Sequence, residues 1–216
     1  MTSTLTRRVL ALGLVALPAA GAAQGALAQG ALSPQDKALV DKAVAYLQSL
    51  SEAKGRFVQT DPRGAVTQGD LYLKRPGKAR FAYDAPAGLL VVSDGALVSI
   101  HNTRLKTFES YPLGATPLNL FLAKQIRLDR GVSITRVTRH TDGFSITARD
   151  SKRPADGQIS LTFTDKPLRL AGWTVTDPQG GATRIRLSSL QPTSGLANSL
   201  FVLKDPRPRG AGRAKM

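Results

Sequence analysis

Leu39, Val40, Ala43, Val44, Leu47 and Leu50 recur at three-to-four spacing and draw one apolar stripe, which predicts an amphipathic helix ending before Gly55. Its start is marked by Ser33 as cap, Pro34 at the first helical position and Asp36 in the first turn. Beyond Gly55 the period changes to two. Leu71 and Leu73 alternate with Asp70, Tyr72 and Lys74, and Phe81 and Tyr83 alternate with Arg80 and Ala82. Between these arms stands Arg75-Pro76-Gly77, read as a tight turn with Pro76 at its first central position, so the arms form an antiparallel hairpin.

The same pattern continues through Leu89 to Val92, Ala96 to His101 and Thr107 to Ser110, each bounded by turn residues. Thr116-Pro117 then opens a second helical pattern, in which Leu118, Phe121, Leu122 and Ile126 share a face with Leu120 at its edge. Strands resume after Gly131 at 132–139, 144–149, 158–164, 168–176 and 183–187, and a last run covers Ser199 to Leu203. About eleven strands and two helices without an internal repeat predict one antiparallel sheet. A sheet of that size must curl into a barrel or split into a sandwich, and a barrel encloses a space.

The N-terminus is read differently. Arg7-Arg8, the apolar run Val9 to Ala23 and Ala26-Leu27-Ala28 form an export signal over residues 1–28, with the mature chain starting near Gln29. Ordinary export is expected ahead of the twin-arginine route. The chain has no Cys, which excludes a disulfide scaffold and a lipid-attachment cysteine. Its formal charge is +15, and removing Arg7 and Arg8 with the signal leaves 28 basic against 15 acidic residues, or +13. Residues 204–216 contribute +4 of this and are expected to be a mobile basic tail after a single domain at 29–203. Such a charge draws the protein towards anionic headgroups, acidic glycolipids or an acidic partner. Nucleic acid is not expected of an exported chain.

Catalytic and metal chemistry find no footing in the sequence. His101 and His140 have no acidic partner at metal-ligand spacing, and no nucleophile elbow or phosphate loop is present. Ser93, Asp94 and His101 can be imagined as a hydrolytic set, but Asp94-Gly95 is better explained as turn chemistry. No enzyme activity, metal or cofactor is expected.

Five pieces occur in a telling order: GRFVQT at 55–60, GDLYLKRPG at 69–77, LLVVSDG at 89–95 led by Pro86, TPLNLFL at 116–122 and SLFVLKDP at 199–206. Together they resemble the LolA family of periplasmic lipoprotein carriers. The resemblance implies an unclosed antiparallel barrel of eleven strands covered by a helical lid, with an apolar cavity for lipoprotein acyl chains. It places the segment from Pro117 to Ile126 in the lid and maps the family's arginine onto Arg75, which would bond the lid shut until cargo binds. It further implies acylated lipoproteins as cargo, loading from an inner-membrane ATP-driven exporter, unloading to an outer-membrane acceptor, transient membrane contact and a monomer.

The candidate cavity wall is Phe57, Leu71, Leu73, Phe81, Val92, Phe108, Leu118, Leu120, Phe121, Leu122 and Trp173. One departure stands near the hairpin. Where the family usually carries two aromatic residues after the turn, this chain has Ala79 and then Phe81. Rival readings are a carrier or sensor of another lipid or glycolipid, and a lipoprotein-sensing regulatory module. A single barrel without room for a second domain counts against the latter.

Overall fold

A computed structural model describes residues 32–116, 118–127 and 131–207, without the side chains of Leu120 and Phe121. The expectations for residues 1–28, Pro117 and the tail beyond Arg207 lie outside it. Helix α1 (Pro34–Ser49) begins as the sequence predicts: Ser33 Oγ accepts from the Asp36 amide at 3.1 Å, and Pro34 opens the first turn. It buries Val40, Ala43 and Leu47, and ends before Leu50 because the next strand begins at Glu52.

Eleven strands follow: β1 (Glu52–Thr60), β2 (Val66–Lys74), β3 (Lys78–Tyr83), β4 (Leu89–Asp94), β5 (Leu97–Asn102), β6 (Thr107–Pro112), β7 (Val132–His140), β8 (Gly143–Asp150), β9 (Gln158–Asp165), β10 (Leu168–Thr176) and β11 (Ala182–Pro192). They form one antiparallel sheet in the order β6-β5-β4-β3-β2-β1-β11-β10-β9-β8-β7, so β6 and β7 are its two edges and the barrel is unclosed. The run Ser199 to Leu203, expected as a strand, instead contains a 3-10 turn at Asn198–Phe201.

Curling is visible in one contact. Four strand steps separate β3 from β10, which would place them roughly 19 Å apart on a flat sheet. Yet the Phe81 and Trp173 rings meet with centroids 6.2 Å apart. The concave side is therefore wrapped around a core. Cross-strand register assigns its wall: Phe57 opposes Leu187 and Gly69, Leu71 opposes Phe81, Phe81 opposes Val91, and Trp173 opposes Ile185 and Leu161. Helix α1 packs into the part of this hollow over β9 and β10, with Tyr46 edge-on to Phe163 at 6.3 Å.

The GRFVQT piece shows why each residue type is needed. Gly55 pairs with Leu190 just before the irregular step of the β1 to β11 register at Arg56 and Phe57, and a Cβ on it would run into the Ser189 carbonyl oxygen. Arg56 points to the convex side and donates to Asp70 and Asp84, at 3.0 Å for the first. Phe57 is fully buried in the core.

On the convex side, residues 193–207 run as a strap over β1 to β4. Lys74 Nζ donates to the Leu196 carbonyl at 2.6 Å, Lys78 Nζ to Asn198 Oδ1 at 3.1 Å, and Arg80 Nη1 to the Leu200 carbonyl at 3.1 Å. Phe201 is buried beside β3 and β4. The first residues of the expected tail belong to this strap, because the Arg207 guanidinium lies over the Phe108 ring, 5.7 Å from its centroid.

Glu52 fixes the strap at its start. Its carboxylate accepts from the Leu196 amide at 2.8 Å and pairs with Lys74 at 3.2 Å, and the backbone bond first, then Lys74, holds its pKa below the ordinary value. A depressed carboxylate pKa stabilises the fold above the unfolded value of about 4.3. That contribution is lost as pH falls through the lower folded value. Glu52→Gln is therefore expected to reduce the melting temperature at pH 7 and to reduce it progressively less as the pH is lowered through the acidic range, as thermal melts across that range will show.

Candidate functional site

The chain between Pro112 and Val132 connects the two edge strands, and its described residues 113–116 and 118–127 lie across the opening. It begins with a 3-10 turn at Leu113–Ala115 and contains a single helical turn, α2 (Asn119–Leu122). The helix expected from Pro117 to Ile126 is thus shortened. Leu118, not Thr116, stands at its cap position, and the Thr116 hydroxyl is used instead in a bond to the Leu113 carbonyl at 2.8 Å. Leu113, Leu122 and Ile126 are nevertheless buried in the same cluster as Phe57, Leu71, Phe81 and Trp173. The segment closes the hollow with its own side chains.

The Leu113 amide ties its start to the Ala96 carbonyl at 2.8 Å, and further polar contacts hold residues 122–126. The Gly77 amide at the hairpin tip donates to the Leu122 carbonyl at 2.7 Å. The Gln48 side chain, at the end of α1, donates through Nε2 to the Lys124 carbonyl at 3.1 Å and accepts from the Ile126 amide at 2.9 Å. Arg75 acts one step removed: its Nη2 donates to the Gln48 carbonyl at 3.0 Å, and its amide donates to the Ser51 carbonyl at 2.8 Å. The guanidinium thus reaches α1 and not the 118–127 segment. Its Nε and Nη1 are buried without a hydrogen-bond partner, and burial pulls its pKa below the ordinary arginine value.

The hairpin carrying Arg75 also differs in its turn. Lys74 pairs with Lys78 across a three-residue loop at 75–77, one residue longer than the two-residue connection of a four-residue tight turn. Gly77 has φ +78°, and a Cβ there would come within 2.6 Å of Gly95. Glycine is what lets the tip fold under the neighbouring turn and present its amide to Leu122.

Of the predicted wall, Phe57, Leu71, Phe81, Leu122 and Trp173 share the buried cluster, with Leu73 and Leu118 half-buried against it. Val92 and Phe108 belong to the opposite face and are corrections. Val92 opposes Arg80 and Ser99, and Phe108 opposes His101, all on the convex side beneath or beside the strap. The side chains of Leu120 and Phe121 fall outside the described residues.

Ser93, Asp94 and His101 do not converge. The Ser93 hydroxyl is buried and donates to the Gly77 carbonyl at 2.6 Å, Asp94 accepts from the Ala96 and Leu97 amides, and His101 lies beside Phe108 on the convex face. Gln48 is the residue the sequence did not single out, because one polar position at the border of an apolar stripe looks like any other.

The model of the family described as outer membrane lipoprotein carrier protein LolA matches residues 48–204, well over half of the chain. The chain belongs to the LolA family. The matched LolA segment opens at Gln48 and takes in the hairpin, the closing segment and most of the strap. Relatives named outer-membrane lipoprotein carrier protein include one from Methylobacillus flagellatus, 29% identical over 75% of this chain and 82% of its own length. Another, from Methylibium petroleiphilum, is 27% identical over 77% of this chain and 85% of its own. Among solved structures, a DUF1329 family protein from Desulfovibrio piger aligns with TM-score 0.50 at 12% identity, covering 77% of this chain and 96% of that one, which is a likeness of fold.

Proposed function

We propose that this protein is a periplasmic carrier that takes the acyl chains of lipoproteins into its concave face and moves them from the inner to the outer membrane. One observation carries this reading. The apolar hollow of the sheet is filled by Leu113, Leu122 and Ile126 of a segment that joins the two free edges and is fastened by a handful of polar contacts. Leaving an acyl chain in water costs about 0.8 kcal/mol per CH₂, so a carrier must cover it. The hollow becomes available when the segment lifts, and the free energy of closing is subtracted from cargo affinity, which favours hand-over to a tighter acceptor.

Arg75 and Gln48 are the proposed latch, the amide gripping the segment and the guanidinium steadying the end of α1. An ATP-driven exporter in the inner membrane would load the carrier and an outer-membrane acceptor would unload it, with the protein acting as a monomer. Exposed Arg184 and Arg186 on the convex face of β11 add a salt-dependent attraction to anionic headgroups during such encounters. Incubation with membranes holding a triacylated lipoprotein and an energised exporter is expected to release that lipoprotein in a soluble one-to-one complex with the protein. Lipoprotein that stays in the membrane, where a known carrier releases it, refutes the reading.

A further inference from the structure

The strap covers the convex side of β1 to β4, and there the acidic residues are matched: Glu52 pairs with Lys74, and Asp70 and Asp84 share Arg56. From β11 to β7 the same side is built differently. Cross-strand register lays Arg136, Thr147, Ser160, Thr174 and Arg184 in one row from β7 to β11. The next row is Thr138, Ser145, Thr162, Gly172 and Arg186, and in a third Arg169 stands beside Thr164. Four strand steps make the full rows about 19 Å wide. Hydroxyls and one glycine fill their centre, and arginines stand at the flanks.

The centre is tied down by its own hydrogen bonds. Ser145 Oγ lies 3.2 Å from Thr162 Oγ1, and Thr147 Oγ1 donates to Ser160 Oγ at 3.1 Å, so these hydroxyls stay half-buried between the strands. Arg136, Arg169, Arg184 and Arg186 are exposed, and among the described residues none of them pairs with a carboxylate. The acids of these strands and their turns are engaged elsewhere. Asp165 pairs with Lys42 on the concave side, Asp150 and Asp156 with Arg153, and Asp177 holds the amides of its own turn. Among the described residues from β7 to β11, only the Asp142 carboxylate lacks such a partner, and it lies in the turn beyond His140.

Arginines without carboxylates attract any anion, and the apolar residues decide which class of partner fits. Protein interfaces are anchored by buried aromatic and apolar side chains. The exposed large apolar residues of this chain, Val66, Leu97, Leu105, Tyr111 and Val202, all lie outside β7 to β11. Separated positive charges on a ground of hydroxyls suit a surface that offers many phosphates and no pocket, as a bilayer of anionic phospholipids does.

We infer that the convex side of β7 to β11 is a docking face for anionic phospholipid headgroups. The concave side of the same strands then looks away from the bilayer, so resting on a membrane does not require the closing segment to lift. This rests on the carrier reading, which brings the protein to membranes, and adds to it the face by which it meets them.

The test uses the protein recovered after export and vesicles of phosphatidylcholine with or without phosphatidylglycerol. Binding to the charged vesicles is expected to weaken steeply as salt rises, and the neutral vesicles are expected to bind poorly. Each basic residue near such a surface strengthens binding roughly fivefold. Arg136→Gln/Arg184→Gln, which removes both ends of one row, is therefore expected to weaken binding about twentyfold. Arg63→Gln/Lys106→Gln removes the same charge from exposed turns of the strapped half and is expected to change binding by less than about twofold. Melting temperature and uptake of a triacylated lipopeptide in solution are expected to stay as they were in both variants. Equal losses of vesicle binding in the two variants, or equal binding to the two kinds of vesicle, overturn the docking face and leave the carrier reading standing. Absence of lipopeptide uptake by the wild type overturns the carrier reading and the docking face with it.

Discussion

Phe57→Ala is expected to lower the free energy of unfolding by about 3–5 kcal/mol, the range for removing a buried aromatic side chain without refilling its space. Phe57 is fully buried, and its ring meets Phe81 edge-on at 5.5 Å and Tyr83 at 5.0 Å. Phe81 in turn meets Trp173, so the truncation removes the first ring of a series that ties β1 to β3 and, across the hollow, to β10. Each ring pair contributes about 0.5–1.5 kcal/mol beyond the burial itself. Gly69 stands opposite Phe57 on β2 and brings no side chain to close the gap. Phe108→Ala is the matched comparison, because that ring lies half-buried on the convex face under Arg207 and its loss is expected to cost about 1 kcal/mol. Urea titrations of both variants with similar slopes will give the two values. Equal losses would mean that the assignment of faces is wrong.

That comparison also marks where the sequence could and could not be read. Period-two alternation identifies the strands and sorts their residues into two sets, and the order of the motifs identifies the family and with it the unclosed sheet. What alternation lacks is a sign. Leu71 and Phe81 fall on the inner face, as expected, but Leu89 to Val92 is apolar on both faces because both are covered. Val91 packs on the core, and Val92 is buried on the convex side near Phe201. A continuous apolar run is the pattern of a strand buried on both sides. Its second cover is Phe201, which sits in a 3-10 turn of the strap, and the alternation of Ser199 to Leu203 carries no mark that distinguishes such a strap from a further strand.

The closing segment was legible as an interruption of the strands but not in its length. Leu118, Leu122 and Ile126 satisfy helical spacing, yet among the described residues of 118–127 only Asn119–Leu122 is helical, and Ile126 reaches the core from an irregular stretch fastened by Gln48. Burial and not helical continuity is what the spacing recorded. The hairpin tip was likewise legible as a turn, while its backbone bond to Leu122 depends on Gly77 passing beneath Gly95, a contact distant in sequence from the lid.

Gln48→Ala is expected to slow release of cargo about fivefold with little change in the melting temperature of α1 and the sheet. The side chain makes two hydrogen bonds to the closing segment, and each is worth about 0.5–1.5 kcal/mol net, at the low end where water reaches the residue. Gln48 is exposed, so their loss weakens closing by about 1 kcal/mol, which is a factor of about five in the equilibrium between the covering segment and bound lipid. Since cargo must displace that segment, the variant takes lipid up more tightly and gives it up more slowly. Arg75→Leu is expected to move release in the same direction but less. It removes the bond to the Gln48 carbonyl, yet it also removes two buried nitrogens that have no partner in the closed arrangement, and the two changes oppose one another. Transfer of a fluorescent triacylated lipopeptide from each variant to acceptor membranes measures both. A larger effect from Arg75→Leu than from Gln48→Ala would mean that the guanidinium carries the closure, and unchanged release in both would remove the latch from the mechanism and leave apolar packing alone to hold the hollow shut.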